Sequence, residues 1–157
     1  MLNQVEDAYQ HFCEERFKLI SNEELKQCLS SNQIRFPEIF SDYIHSYNGG
    51  WFSEPALPGL DAKTGDRLTL MYGINAGTRS AEMFSLFNVS FHDYECGRAF
   101  FPIGYTMMGG MILLGLAAGN AEKIFLKPAS SSQLYLLSSN IIKFFNGLQT
   151  ALKSYND

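Results

Sequence analysis

The sequence predicts an α+β domain in which a mainly antiparallel, twisted sheet carries N-terminal and C-terminal helices packed on it. Helical apolar periodicity in the first third, short apolar segments divided by turn residues further on, and a last helical pattern predict this class. The chain has 157 residues, of which 46% are hydrophobic and 18% charged. This length and composition are typical of one globular domain, so residues 1–157 are interpreted as a single domain.

The first third of the chain begins with two helical patterns. Apolar residues recur at a loose 3.6-residue period, which predicts a first helix that continues to about Ile20. The apolar face consists of Val5, Tyr9, Phe12, Phe17 and Ile20. Ser21-Asn22-Glu23-Glu24 has the spacing of a capping box, so a short second helix is expected to run to about Leu29.

A third helix is predicted after Pro37, because proline favours the first position of a helix. Its apolar stripe has i, i+4 and i+7 spacings and consists of Ile39, Phe40, Tyr43, Ile44 and Tyr47. Asn48, Gly49 and Gly50 are predicted to end this helix, since asparagine and glycine tolerate the left-handed conformation that closes a last turn.

The middle of the chain is predicted to contain strands and loops. Trp51 and Phe52 follow the glycines, residues 57–65 form a loop rich in proline, glycine and aspartate, and residues 68–74 alternate enough to predict a strand. The next segment is ambiguous, and within it residues 80–89 allow a short helix with partly buried apolar side chains. Those side chains are Ala81, Phe84, Leu86 and Phe87.

The last third predicts further strands and a closing helix. Residues 100–104 lead into the apolar segment 111–116, a Gly119-Asn120 turn signal follows, and residues 123–126 return as a partner strand. Residues 134–137 are interpreted as a further strand or a lead-in. The closing helix, capped by Ser139 or Asn140, carries its apolar face on Ile141, Phe145, Leu148 and Leu152.

Five short motifs, taken in order, resemble those of one known family. The first is the Pro37-led helix that ends in Asn48-Gly49-Gly50, and the second is the strand end Met71-Tyr72-Gly73. The other three are Phe101-Pro102-Ile103-Gly104, the hairpin over residues 113–126, and the closing helix over residues 142–148. Over about residues 1–152 the chain resembles the SUKH superfamily (Smi/Knr-like). It departs from the family in the turn at residues 105–110, which contains no acid.

This resemblance implies both a fold and a function. The family's fold is α+β, and many members are bacterial immunity proteins of polymorphic or contact-dependent toxin systems, which bind and block a cognate toxin, often a nuclease. A fungal regulator of cell-wall synthesis also belongs to it, which implies a scaffold role as a second precedent. The positions that match the family's structural motif are Pro37, Asn48, Gly49, Gly50, Tyr72, Gly73, Pro102, Ile103 and Gly104.

Charge and composition argue against several classes of protein. The net charge is −4 and the sequence pI is about 5.3, with no block of lysine and arginine, so direct nucleic-acid binding is not expected. The N-terminal residues do not resemble a secretory signal, and the apolar stretch at residues 107–118 is too short for a membrane helix. Three sparse cysteines fit a reducing compartment, so we expect a cytoplasmic protein.

The glycines and histidines do not form a recognisable cofactor site. Gly104 and Gly109 have the internal spacing of a phosphate loop, but the residues that follow supply no lysine, serine or threonine. His11 and Cys13 are two residues apart on a predicted helix and therefore point to different faces. His45 is interpreted as a surface histidine, and neither a metal nor another cofactor is expected.

One predicted loop holds three residues with chemical potential, namely His92, Asp93 and Cys96. They have neither the number nor the spacing of a metal-ligand set. Cys96 and His92 are a nucleophile and a base by residue type alone. The sequence therefore favours a protein that is not an enzyme.

The candidates for partner binding are the single tryptophan and acids in loops near aromatic residues. Tryptophan is enriched among binding hot spots, and Trp51 is equally suited to filling the core. The acids form a negative patch only if their loops converge. The candidates are Trp51, Glu54, Asp61, Asp66, Asp93 and Glu95.

Three functional hypotheses follow from these observations. The first is an immunity protein that occludes a cognate toxin. A basic nuclease-type domain is the kind of toxin that this hypothesis favours, because acidic surfaces suit basic partners. The second is a non-catalytic intracellular scaffold or regulatory interaction module. The third is a small-molecule binder, which requires a large apolar pocket with convergent polar groups.

Overall fold

The structure is a computed structural model that describes residues 2–59 and 65–150. The helices are α1 (Asn3–Phe12), α2 (Asn22–Ser31), α3 (Glu38–Tyr47), α4 (Leu86–Tyr94) and α5 (Ile141–Asn146). The strands are β1 (Cys13–Arg16), β2 (Gly50–Phe52), β3 (Leu68–Met71), β4 (Phe100–Thr106), β5 (Met111–Gly115), β6 (Ile124–Lys127) and β7 (Tyr135–Ser138). Leu152, predicted on the last helix, lies outside the described residues.

The strands form one seven-stranded sheet in the order β1-β2-β3-β4-β5-β6-β7, and every neighbouring pair is antiparallel. The predicted α+β class with a mainly antiparallel sheet is therefore confirmed. Among the described residues, no helix has the length and apolar character needed to cross a membrane.

The core lies between one face of the sheet and helices from both ends of the chain. The ring of Tyr9 on α1 packs against Phe52 on β2, with ring centroids 5.2 Å apart, and against Phe145 on α5 at 5.3 Å. Phe36 packs on Phe101 of β4 at 5.7 Å. Aromatic rings thus fill the core where these helices meet the sheet.

Several predicted element ends are confirmed by local chemistry. Ser21 and Glu24 form a reciprocal capping box at the start of α2. Pro37 precedes α3, and Asn48 ends that helix with φ 54°, in the left-handed region. Asn140 caps α5 by accepting a hydrogen bond from the backbone N–H of Lys143 at 2.9 Å.

The predicted first helix is wrong beyond Phe12. The chain there leaves the helix and forms the edge strand β1, whose residues pair with Gly50–Phe52 of β2. Phe17 and Ile20 are buried as predicted, but they lie after a strand rather than on a helix. Pairing with a strand that is distant in sequence determines the conformation of this segment, and local periodicity cannot predict such a pairing.

The predicted helix at residues 80–89 is displaced. Residues Arg79–Ala81 form a single 3₁₀ turn, and α4 begins only at Leu86. Ser85 fixes that start, because its hydroxyl accepts a hydrogen bond from the backbone N–H of Asn88 at 3.2 Å. His92 and Asp93, predicted in a loop, belong to α4 instead.

Two of the motifs that carry the family resemblance, those containing Asn48 and Gly73, meet at one backbone junction. Asn48 is fully buried; its side-chain amide donates to the carbonyls of Lys18 at 2.7 Å and Ile74 at 2.9 Å, and its oxygen accepts from the N–H of Ile74 at 2.8 Å. A Cβ on Gly73 would lie 2.4 Å from the carbonyl oxygen of Asn48. The junction therefore joins the end of α3 to the end of β3.

Candidate functional site

The face of the sheet that turns away from the helical core carries an aromatic pair. Trp51 on β2 is in register with Leu70 on β3, which is in register with Tyr105 on β4, so the three side chains share this face. The rings of Trp51 and Tyr105 meet edge to face across Leu70, with centroids 6.4 Å apart. Both rings are half-buried, so they offer apolar area held in a fixed orientation.

Tyr72 supports this pair from the end of β3. Its ring lies 6.0 Å from that of Tyr105, and its hydroxyl contacts the sulfur of Met111 at 3.9 Å. Burial raises the pKa of Tyr72 well above its ordinary value, so the phenol stays neutral at physiological pH. It therefore contributes packing and a weak donor rather than a base.

Asp66, predicted as a partner-binding acid in a loop, is buried and cannot contact a partner. Its carboxylate accepts hydrogen bonds from the hydroxyl of Thr106 and from the backbone N–H groups of Arg67 at 2.8 Å and Met108 at 3.0 Å. The turn after β4 contains no acid of its own, and Asp66 supplies one from the neighbouring strand. Its role is to hold the β4–β5 turn.

That turn presents two methionines to solvent. Met107 is 45% exposed and Met108 is 62% exposed. The backbone N–H of Met107 donates to the carbonyl of Arg67 at 2.9 Å, and Asp66 fixes the next residue. We define the Trp51 surface as Trp51, Tyr105, Met107 and Met108. Exposed thioethers beside aromatic rings are typical of surfaces that adapt to a protein partner.

Removal of the Asp66 carboxylate is expected to destabilise the protein. Asp66→Ala leaves the buried Thr106 hydroxyl and two backbone N–H groups without this acceptor, so the free energy of unfolding should fall by about 2 to 3 kcal/mol. Asp93→Ala, which removes an exposed acid, should change it by less than about 0.5 kcal/mol. Urea unfolding of both variants measures this difference, and equal effects would contradict the assigned role of Asp66.

The second candidate surface is α4, which has inverted polarity: it buries polar side chains and exposes apolar ones. Its buried residues are Asn88 and His92. Leu86, Phe87 and Tyr94 are 84%, 65% and 86% exposed. The prediction that Leu86 and Phe87 are partly buried is therefore wrong. An exposed apolar group of this kind marks an interaction site more often than a folding determinant.

An open groove of about 1340 Å³ lies beside the N-terminal half of α4. Its lining includes Tyr72, the segment around Arg79, and Leu86 and Phe87 of α4. Glu82 also lines the groove, but its carboxylate accepts hydrogen bonds from two backbone N–H groups, at 3.2 and 3.3 Å. The groove thus combines a carboxylate held by backbone hydrogen bonds with exposed apolar side chains.

The five predicted partner-binding residues that the structure describes do not form one patch. Trp51 and Glu54 follow each other along β2 and its exit, close to the strand that Asp66 precedes. Asp93 and Glu95 are exposed at the C-terminal end of α4, which packs against the start of β4. Asp61 lies outside the described residues.

The cysteines do not have the environment of catalytic nucleophiles. Burial raises the pKa of Cys13 and of Cys96 to about 11, and burial also raises the pKa of Cys28. Within residues 2–59 and 65–150, no three His, Cys, Asp or Glu side chains are placed to hold a metal ion. The Nδ1 atom of His92 is hydrogen-bonded to the carbonyl of Phe100, so the ring has a structural role.

Slow thiol modification is the expected consequence. At pH 8 the thiols of Cys13 and Cys96 are almost entirely protonated, so a disulfide reagent should react with the folded protein about tenfold or more slowly than with free cysteine. All three cysteines should react rapidly once urea unfolds the chain. A fast-reacting thiol in the native protein would contradict the burial of these side chains.

Sequence reasoning missed the residues that dominate both surfaces. Tyr105, Met107 and Met108 drew no attention as binding residues, although Gly109-Gly110 signals a tight turn with the preceding residues at its tip. Leu86 and Phe87 gave no such signal, because apolar residues are expected inside.

No model of a known protein family matches the chain, and no curated protein matches its sequence.

Proposed function

We propose that the protein is a non-catalytic, SUKH-like immunity protein that neutralises a cognate toxin by covering it with the Trp51 surface. The observation that carries the proposal is the half-buried Trp51–Tyr105 pair, with the exposed Met107 and Met108 in the turn that follows Tyr105. The protein acts by occlusion, so the pair itself performs no chemistry. It works in the cytoplasm, where its three cysteines remain reduced.

The Trp51 surface has the properties of a binding hot spot. Binding energy concentrates in tryptophan and tyrosine side chains that become fully desolvated at the centre of an interface. Trp51 and Tyr105 are already fixed against each other, so little side-chain entropy is lost on binding. Met107 and Met108 at the rim adapt to the shape of the partner.

Charge favours a basic partner. The net charge of the chain is −4, and Glu54 lies just after the strand that carries Trp51. Basic side chains of a nuclease-type toxin gain from both features, because an arginine or lysine stacks on tryptophan and pairs with nearby acids. The complementary charge mainly accelerates association.

The close backbone contacts of the motif residues also support the SUKH-like assignment. Gly49, Gly73 and Gly104 each approach a neighbouring backbone so closely that a Cβ would lie 2.4 Å from a carbonyl oxygen. Glycine at these positions is therefore a requirement of this sheet and helix arrangement. A coincidental set of glycines has no reason to satisfy it three times.

Co-expression with the product of the adjacent gene tests the proposal. A toxic partner should co-purify in stoichiometric amount, and growth should be rescued. Trp51→Ala should weaken the complex by about 2 kcal/mol, roughly 30-fold, and reduce rescue. Leu19→Ala, which alters a side chain that is 56% exposed elsewhere, is the matched control. A complex that is indifferent to Trp51→Ala and to Met108→Glu would contradict the assigned surface.

A non-catalytic scaffold or regulatory module is the alternative function. The same Trp51 surface supports it, because the structure of a binding hot spot does not depend on whether its partner is toxic. The two functions separate in one assay: a partner that binds through Trp51 but is harmless when expressed alone favours the scaffold.

A further inference from the structure

We infer that α4 is a self-association surface, on which a second copy of this chain packs its own α4 in antiparallel orientation. The inverted polarity of α4, its uneven charge distribution and the groove beside it point to this occupant. The surface is separate from the Trp51 surface and does not depend on the proposed function.

The side of α4 that packs on the domain carries polar side chains, so contacts within the chain do not account for the apolar side chains of this helix. Asn88 donates from its side-chain amide to the carbonyl of Met83 at 3.0 Å, and His92 contacts the carbonyl of Phe100. These polar contacts position the helix on the domain. The apolar side chains on the other side, Leu86, Phe87 and Tyr94, remain exposed to water. A group of this size is stabilised when a second surface removes it from water.

The outward face has a spacing that suits a two-fold axis. Phe87, Phe91 and Tyr94 lie at i, i+4 and i+7 and so share one stripe, in which the rings of Phe87 and Phe91 are 5.9 Å apart. In an antiparallel pair with its axis between Ser90 and Phe91, Phe87 of each copy faces Tyr94 of the other. Each of these contacts then occurs twice, as a closed dimer requires.

Charge selects a second copy as the occupant. Asp93 and Glu95 lie at the C-terminal end of α4, where the negative end of their own helix dipole disfavours them. Arg79, which is exposed, lines the groove at the opposite end. Antiparallel pairing places the acids of one copy beside the helix N-terminus and Arg79 of the other. The acids of one copy thus gain a basic partner in the other, in addition to Lys127 of their own chain, which lines a cavity together with Glu95.

The groove accommodates this arrangement. Its lining includes the exposed Leu86 and Phe87, and also Ser90 near the middle of the helix. The small side chain of Ser90 at the proposed axis lets the two helices approach closely. A small-molecule ligand would leave Tyr94 in water, whereas a second α4 covers both ends of the stripe.

Sedimentation velocity over about 5 to 500 µM tests the inference with the full chain. The wild-type protein should change from monomer to dimer as concentration rises. Phe87→Asp should raise the dimer dissociation constant by about 100-fold or more, because the two-fold axis places the new charge in the interface twice, each time in a desolvated contact with Tyr94 of the other copy. Leu19→Asp, a matched change at an exposed leucine, should leave it unchanged. An unfolding midpoint of Phe87→Asp equal to that of the wild type, measured at a concentration at which both are monomeric, shows that the fold is retained.

Charge reversal provides the decisive second measurement. Arg79→Glu alone, and Asp93→Arg with Glu95→Arg, should each weaken the dimer by about tenfold. The combined triple variant should regain an affinity within about threefold of wild type, since the cross-copy pairs are restored in reversed form. Only direct contact between the two ends predicts this recovery.

Three outcomes would overturn the inference. The first is a wild-type chain that remains monomeric at every concentration. If the groove of this monomer binds an apolar dye, the groove is a small-molecule site instead. The second is a dimer that Phe87→Asp does not weaken. The third is a triple charge variant that is weaker than either parent.

Discussion

Asn48→Ala is expected to lower the free energy of unfolding by about 3 to 5 kcal/mol, a large part of the stability of a domain of this size. The amide of Asn48 satisfies the carbonyls of Lys18 and Ile74 and the N–H of Ile74, all at a fully buried site. Alanine leaves these three backbone groups without that partner. Alanine is also strained at φ 54°, because, unlike asparagine, it has no polar side chain that can hydrogen-bond locally in the left-handed conformation.

Two further variants separate these causes. Asn48→Gly removes the same three hydrogen bonds but accepts the left-handed backbone, so it should be about 1 kcal/mol less destabilising than alanine. Asn75→Ala is the matched control, because Asn75 also has a positive φ, of 55°, but is exposed. Its effect should stay near 1 kcal/mol. Equal losses for Asn48→Ala and Asn75→Ala in urea unfolding would contradict the assigned hydrogen-bond role.

The contrast between these positions shows where sequence reasoning succeeds. The end of α3 at Asn48 was predictable, because a left-handed cap is a local property of asparagine and glycine. The capping box of Ser21 and Glu24 was predictable for the same reason. The tertiary role of Asn48 was not, since its partners Lys18 and Ile74 lie 30 and 26 residues away.

Long-range partners also account for the failures at the candidate sites. Asp66 was predicted as a binding acid, but its carboxylate is buried and hydrogen-bonded to Thr106, which lies 40 residues further along the chain. β1 was predicted as helix because its partner strand follows only after α2 and α3. Leu86 and Phe87 were predicted to be partly buried, because apolar side chains usually pack inside a domain. The second copy of α4 inferred above accounts for their exposure.

Gly73→Ala is expected to cost about 2 to 4 kcal/mol of unfolding free energy through a steric clash. The new Cβ would lie 2.4 Å from the carbonyl oxygen of Asn48 and 2.8 Å from Cδ2 of Phe17. The Phe17 ring can rotate away, but the backbone of Asn48 is held by the junction. Gly119→Ala is the matched control, because no heavy atom of the described residues lies within 4 Å of a Cβ there. It should be neutral or stabilising by up to about 1 kcal/mol.

Combining both junction substitutions tests whether Asn48 and Gly73 act on one contact. Asn48→Gly loosens the backbone against which the Gly73→Ala methyl collides, so the double variant should be less destabilised than the sum of the two single variants. We expect a coupling free energy of at least about 1 kcal/mol in a double-mutant cycle. Gly73 also pairs with the segment that leads to α4, donating to Ala81 at 3.0 Å and accepting from Met83 at 2.8 Å. Additivity within about 0.5 kcal/mol would mean that the two residues stabilise the sheet independently.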